Sequence, residues 1–84
     1  MERLSFEVAN EAGLHARPAS ELVACALRYA SSITLSAHGA SCDAKSIFSV
    51  LALDVARGDR VIVTCEGPDE REARYALEEL SRTL

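Results

Sequence analysis

A short segment near the start of the chain combines two residue types that handle phosphate. The hexapeptide Gly13–Pro18 (GLHARP) contains His15 and, two residues later, Arg17. A neutral imidazole is a nucleophile, and the guanidinium of arginine matches a phosphate group in geometry and charge. Pro18 is typical of a first helical turn, where free N–H groups attract anions. We therefore predict that His15 carries a phosphoryl group, which the N–H groups of Ala16 and Arg17 and the Arg17 side chain bind.

Each of these side chains also has a plainer interpretation. A lone histidine in a loop is more often a solvated surface residue, but the arginine and proline that follow His15 favour a functional role. His38 lies in a predicted turn without a charged neighbour, and we interpret it as solvated. The mixed charges of the last predicted helix are interpreted as a solvated face, namely Arg71, Glu72, Arg74, Glu78 and Glu79.

The length and composition favour a small domain. The chain has 84 residues, of which 49% are hydrophobic, so we expect one domain over residues 1–84 with its own core. The formal charge of −4 argues against nucleic acid as the main partner. No segment approaches membrane-spanning length and the first residues lack a signal-peptide pattern, so we expect a cytoplasmic protein without membrane insertion.

The cysteines predict neither a disulfide framework nor a metal site. Cys25, Cys42 and Cys65 are odd in number, widely spaced and on different predicted elements. We interpret them as reduced thiols that are buried as small apolar side chains. The chain is expected to need no metal and no cofactor.

Hydrophobic periodicity predicts how the hexapeptide is positioned. Residues 4–8 alternate apolar and polar, as do 33–37, and a β-branched run covers Arg60 to Cys65, so each predicts a strand. A short strand is expected at about Ala40 to Asp43 after the turn His38-Gly39. A helix is expected after Gly67-Pro68-Asp69, with an apolar stripe of Ala73, Ala76, Leu77, Leu80 and Leu84.

The segment after the hexapeptide has a helical period. Its apolar stripe is predicted to face the core and contains Ala19, Leu22, Val23, Ala26, Leu27 and Ala30. The resulting order is βαββαβα. It favours an α+β open-faced β-sandwich, in which three helices cover one face of a four-stranded antiparallel sheet.

Ser46 has two candidate roles. It is a good N-cap for a short second helix, and a phosphoserine there would add about −1.5 to −2 charges at the helix start. The helix is apolar around much of its circumference, so Ile47, Phe48 and Leu51 could belong to the core or form an exposed patch for transient protein contacts. We favour docking for Ile47 and Phe48, and predict Lys45 as a charge at the rim of that patch.

Three segments together resemble the HPr family, the histidine-containing phosphocarriers of the bacterial phosphoenolpyruvate:sugar phosphotransferase system. They are Gly13–Ala19, Lys45-Ser46-Ile47, and Ala56–Asp59 with Gly67–Glu70. The resemblance covers essentially the whole chain. It implies that the protein is a carrier and not an enzyme.

The resemblance also implies roles and partners. His15 would accept a phosphoryl group at Nδ1 from phosphorylated Enzyme I and pass it to the IIA component of a sugar permease, with help from Arg17. Ser46 would correspond to the site that HPr kinase/phosphorylase modifies. A monomer suits a shuttle that meets two partners in turn.

Other functions stay open at this point. One alternative is a regulatory module that signals to a transcription regulator through His15 or Ser46, including a nitrogen-related branch of the family. Another, based on the fold alone, is a metabolite-binding or structural domain. The chain also departs from common family choices, since Phe48 replaces Met, Ser49 replaces Gly, and Ala24 and Leu27 replace basic residues. We expect these changes to make docking less electrostatic.

Overall fold

Four strands and three helices follow one another along the chain in the predicted order, βαββαβα. The computed structural model describes residues 1–84. Its elements are β1 (Glu2–Glu7), α1 (Ala16–Leu27), β2 (Ser32–Ala37), β3 (Ala40–Asp43), α2 (Ile47–Ala52), β4 (Arg60–Glu66) and α3 (Glu70–Ser81). The prediction of an α+β open sandwich is confirmed.

The strands form one antiparallel sheet in the order β1-β4-β2-β3. Leu4 pairs with Val63, which pairs in turn with Leu35, and all three side chains are buried. In the next row of the sheet, Ser5 pairs with Ile62, and both are exposed on the opposite face. Since side chains alternate along a strand, one sheet face packs against the helices while the other meets solvent.

The end of α1 departs from the predicted apolar stripe. Leu22 and Ala26 are buried as expected, but the Leu27 side chain is 61% exposed and Ala30 is also exposed. Leu27 is the last residue of α1 and points about 100° away from Ala26 around the axis. Ala30 lies beyond the helix, where the chain turns towards β2. The prediction that these two residues join the core stripe is therefore wrong.

The start of α3 is fastened to the turn between α1 and β2. The Asp69 carboxylate accepts hydrogen bonds from the N–H groups of Ala30 and Ser31, at 2.8 and 2.9 Å, and from the Ser31 hydroxyl. Gly67 packs so closely on Ser31 that a Cβ at Gly67 would lie 2.7 Å from the Ser31 Cα. The hydroxyl and backbone hydrogen bonds hold the pKa of Asp69 below its usual value.

All three cysteines are free thiols. Cys25 and Cys65 are buried, as predicted, whereas Cys42 is only half-buried on the edge strand β3. Burial raises the pKa of each thiol. None of the helices is long and apolar enough to cross a membrane.

Candidate functional site

His15 is the N-cap residue of α1. Its backbone is extended, with φ −83° and ψ −168°, and its side chain makes no hydrogen bond to the helix that it precedes. The ring is exposed and its Nδ1 lies 3.3 Å from the carbonyl oxygen of Gly13. The imidazole is therefore at a helix start, open to solvent, and not used as a cap.

The first turn of α1 offers two free donors beside the ring. The N–H of Ala19 donates to the His15 carbonyl at 2.9 Å, and Pro18 has no N–H. The N–H groups of Ala16 and Arg17 donate to no other group in the protein, and the turn contains no acidic side chain. Such a helix start attracts an anion through its hydrogen-bond donors and its dipole.

The loop before His15 is held by the segment that follows α2. The N–H of Leu14 donates to the Val55 carbonyl at 3.0 Å, and Gly13 has a φ of +71°. A Cβ at Gly13 would collide with the Val55 carbonyl oxygen. Glycine is required here both by the backbone conformation and by the close approach of Val55.

A second anchor comes from the end of the chain. The main-chain oxygen of Leu84 accepts from the N–H groups of Ala9 and Asn10, at 3.2 and 3.1 Å, and the Leu84 side chain is buried. The Asn10 side chain accepts from the N–H of Ala12 at 3.1 Å. The contacts of the Val55 and Leu84 main-chain oxygens with this loop were not predicted from the sequence, because a main-chain contact between distant segments leaves no local signal.

His15 and Arg17 line the same open depression on the surface, which has a volume of about 420 Å³. Arg17 is exposed and makes no ion pair or hydrogen bond through its guanidinium, so it is available to a ligand. Glu21, one turn further along α1, contributes the one carboxylate of the lining and was not singled out from the sequence. The structure thus brings together the two residues predicted to handle phosphate.

Two hydrogen bonds at opposite ends make α1 and α2 antiparallel neighbours. The Leu14–Val55 bond joins the start of α1 to the end of α2, and Lys45 Nζ donates to the Tyr29 carbonyl at 2.7 Å, joining the end of α1 to the start of α2. The last turn of α2, with Leu51, is therefore next to the His15 loop. Ser46 and Lys45 lie at the far end of α2.

The predicted docking residues differ in their exposure. Phe48 is 82% exposed and Leu51 is 37% exposed, whereas Ile47 is half-buried and packs against the core. Leu27 adds a further exposed side chain on the neighbouring helix. The Lys45 ammonium is held by the Tyr29 carbonyl oxygen, so this residue braces the two helices, and its role at the rim of a docking patch stays a prediction.

Ser46 is the N-cap of α2, as predicted. Its backbone is extended and its Oγ accepts from the N–H of Ser49 at 3.4 Å. The residue is half-buried. The expectation for His38 was wrong in one respect, because Asp59 Oδ2 lies 4.0 Å from its Nε2, although the histidine side chain is 45% exposed.

Comparisons with known proteins point to one family. A family model described as the PTS HPr component phosphorylation site matches residues 3–83. The chain is 37% identical to HPr-C-His of Thermoanaerobacter tengcongensis, over 99% of this chain and 93% of that one, with a TM-score of 0.93. It is 32% identical to the phosphocarrier HPr of Bacillus anthracis, over 95% of each chain, with a TM-score of 0.87.

A third similar structure was solved as a dimer. Crh, the catabolite repression protein of Bacillus subtilis, was solved as a swapped, intertwined dimer. It is 35% identical, over 99% of this chain and 95% of that one, with a TM-score of 0.77. Because the family model spans almost the whole chain and the fold agrees throughout, this protein belongs to the HPr family of the phosphotransferase system, whose members are phosphocarriers and not catalytic enzymes.

Proposed function

We propose that His15 accepts a phosphoryl group at Nδ1 from phosphorylated Enzyme I and passes it to the IIA component of a sugar permease. The observation that carries this proposal is the exposed imidazole at the start of α1, next to the unpartnered N–H groups of Ala16 and Arg17. A phosphoryl group on the ring can turn towards these donors, and the free Arg17 guanidinium can neutralise its charge. No metal or cofactor takes part in this proposal.

The transfer needs little covalent chemistry from the protein. The Nδ1 lone pair attacks phosphorus in line with the bond between phosphorus and the donor, which breaks as the new N–P bond forms. The protein contributes by positioning the ring and by stabilising negative charge. The ring has to turn Nδ1 away from the Gly13 carbonyl oxygen before this step. Once Nδ1 has lost its proton, both atoms are hydrogen-bond acceptors, and the carbonyl cannot donate to the phosphoryl group either.

Both exchange partners would dock on the side of α1 that carries α2. Leu51 is in the last turn of α2, which the Leu14–Val55 bond joins to the His15 loop, and Phe48 and Leu27 are further exposed apolar side chains on α2 and α1. Apolar contact over a small area suits a transient complex that has to form and separate in each cycle. With Ala24 and Leu27 in place of basic residues, we propose that docking depends more on apolar contact than on charge.

The direct test is incubation with phosphoenolpyruvate and Enzyme I, followed by measurement of the intact mass. The wild-type chain should gain one acid-labile phosphoryl group, and His15→Ala should gain none. Transfer from the phosphorylated chain to sugar-specific and nitrogen-related IIA proteins then distinguishes the two branches. A chain that stays unmodified with a competent Enzyme I contradicts the proposal.

A regulatory function is the second candidate, and the similarity to Crh favours it. In this alternative, HPr kinase/phosphorylase modifies Ser46 and the modified chain binds a transcription regulator. The Ser46 Oγ makes only one long hydrogen bond, at 3.4 Å to the N–H of Ser49, and a phosphate at a helix start is tolerated. An ATP-dependent, acid-stable phosphate that is lost in Ser46→Ala supports this function, and no labelling by a kinase active on other HPr proteins contradicts it.

A further inference from the structure

The depression that contains His15 has one acidic side chain in its lining. The lining consists of Asn10, His15, Arg17, Pro18, Glu21 and Thr83. Glu21 is the only acidic residue of α1, and Arg17 is the only basic residue of that helix. With a neutral imidazole, the charges of Arg17 and Glu21 therefore balance each other in the unphosphorylated site.

The Glu21 carboxylate lies close to the site and keeps its full charge. The side chain is exposed and takes part in no ion pair. Residues four apart share one face of a helix, so Glu21 follows Arg17 on the same side of α1. The six residues from His15 to Glu21 span about 9 Å along the axis, and helical side chains lean towards the N-terminus. The carboxylate is therefore within about one Debye length of the ring at 0.1 M ionic strength.

A phosphoryl group on His15 changes this balance of charge. It adds about −1.5 to −2 charges, as on other phosphorylated side chains. The Arg17 guanidinium and the free N–H groups at the helix start attract the added charge, whereas the Glu21 carboxylate repels it. In the unphosphorylated site the same carboxylate is attracted by Arg17. Glu21 therefore stabilises the unphosphorylated state relative to the phosphorylated one.

We propose that Glu21 raises the phosphoryl-transfer potential of His15, so that a phosphoryl group on this chain passes more readily to an acceptor. The inference rests on the proposed carrier function and deepens it. In the transfer, the N–P bond at His15 breaks as phosphorus bonds to the acceptor, and Glu21 takes no covalent part. Arg17 and Glu21 have opposite effects, because the cation holds the phosphoryl group and the carboxylate weakens that hold.

The proposal is tested by competition between two chains for phosphoryl groups. Equal amounts of ¹⁵N-labelled wild-type chain and unlabelled Glu21→Gln are mixed with a trace of Enzyme I and limiting phosphoenolpyruvate, and intact masses are measured at equilibrium. The ratio of phosphorylated to unphosphorylated chain should be about threefold higher for Glu21→Gln at low ionic strength. Docking rates do not affect this equilibrium ratio. Equal ratios for the two chains overturn the proposal.

Three further variants separate the charge of Glu21 from its structural role. Glu21→Asp keeps the charge and should stay close to wild type, whereas Glu21→Lys reverses it and should favour the phosphorylated state more than Glu21→Gln does. Glu72→Gln is the matched control, because it removes one negative charge from the exposed surface of α3. Glu72 lies about 14 Å along α3 from Ser81, the end of that helix nearest Thr83, so this variant should match wild type.

Ionic strength gives a second readout, which a structural role would not change. The Debye length falls to about 3 Å at 1 M salt, so the advantage of Glu21→Gln over wild type should shrink towards one. An advantage that is unchanged by salt, or that Glu72→Gln or Glu21→Asp shares, overturns the proposal. If no chain, wild type included, becomes phosphorylated with a competent Enzyme I, the carrier function itself is overturned.

Discussion

The N–H of Leu14 donates to the carbonyl oxygen of Val55 at 3.0 Å, and this bond ties the residue before the candidate phosphoacceptor to the segment after α2. The helix α2 and the loop before His15 are therefore parts of one framework. A partner that presses on Leu51 contacts an element whose C-terminal extension holds the His15 loop in place.

Replacement of Gly13 tests this framework. Gly13→Ala should destabilise the fold by more than Gly39→Ala, because both positions have positive φ but only Gly13 has the Val55 carbonyl where a Cβ would lie. The strained backbone alone costs about 1–2 kcal/mol at either site. Urea unfolding measures the free energies of both variants. Equal losses of stability would show that the loop moves away from Val55 without cost.

Arg17 is expected to matter for transfer and not for stability. Arg17→Ala should slow phosphoryl transfer from Enzyme I by at least about tenfold, since it removes the free cation beside the phosphate. Arg17→Lys should recover only part of the rate, because an ammonium lacks the two-pronged geometry of the guanidinium. Rapid-quench measurements on folded protein supply the rates, and Arg71→Ala on exposed α3 surface is the control. A wild-type rate in Arg17→Ala contradicts the role given to Arg17.

Phe48 is expected to act in docking. The side chain is 82% exposed, so Phe48→Ala should leave the unfolding midpoint unchanged. Its truncation should raise the KM for phosphorylated Enzyme I about tenfold, as for an apolar anchor of an interface. Tyr75→Ala removes a second exposed aromatic side chain, on α3, and should leave KM unaltered. If Phe48→Ala and Tyr75→Ala have the same KM, Phe48 is not part of the docking surface.

The salt dependence of docking follows from the same surface. Apolar contacts are not screened by ions, whereas contacts between exposed charges weaken as ionic strength rises. We therefore expect KM for Enzyme I to change less than about threefold between low and physiological salt. A steep increase of KM with salt would show that charges such as Lys45 and Arg28 dominate the encounter.

Asp69 should make stability depend on acid pH. Its pKa is lowered in the folded state, mainly by the Ser31 hydroxyl and the Ala30 N–H, so its contribution is complete above its unfolded value of about 4 and is lost as pH falls through the lower folded value. Asp69→Asn should be less stable at neutral pH, and the difference from wild type should shrink in acid. This stability difference is measured by the denaturant midpoints of both proteins at a series of pH values.

Asp54→Asn is the control for that experiment. Asp54 is exposed, and asparagine tolerates its φ of +54°. This variant should unfold with the same pH dependence as wild type. If Asp69→Asn follows the wild-type curve in parallel down to the acid limit, the Ser31 contact does not lower the pKa of Asp69.

Much of this protein follows from the sequence because its signals are local. The alternation in 4–8 and 33–37, the turn at His38-Gly39 and the helical stripe after Pro18 determine the order of the elements and the placement of His15 at a helix start. Ser46 is recognised as an N-cap from the residues around it, since the bond spans only three positions. Side-chain type and short-range hydrogen bonding are enough for these features.

Only the tertiary structure decides which distant groups meet. Val55 and Leu84 hold the His15 loop through main-chain oxygens, and every residue has such an oxygen, so no sequence pattern marks them. The exposure of Leu27 and the Lys45–Tyr29 contact depend on where α1 ends against α2. Periodicity sets which face of an element is apolar, but packing between elements sets how much of that face is covered and where each free donor points.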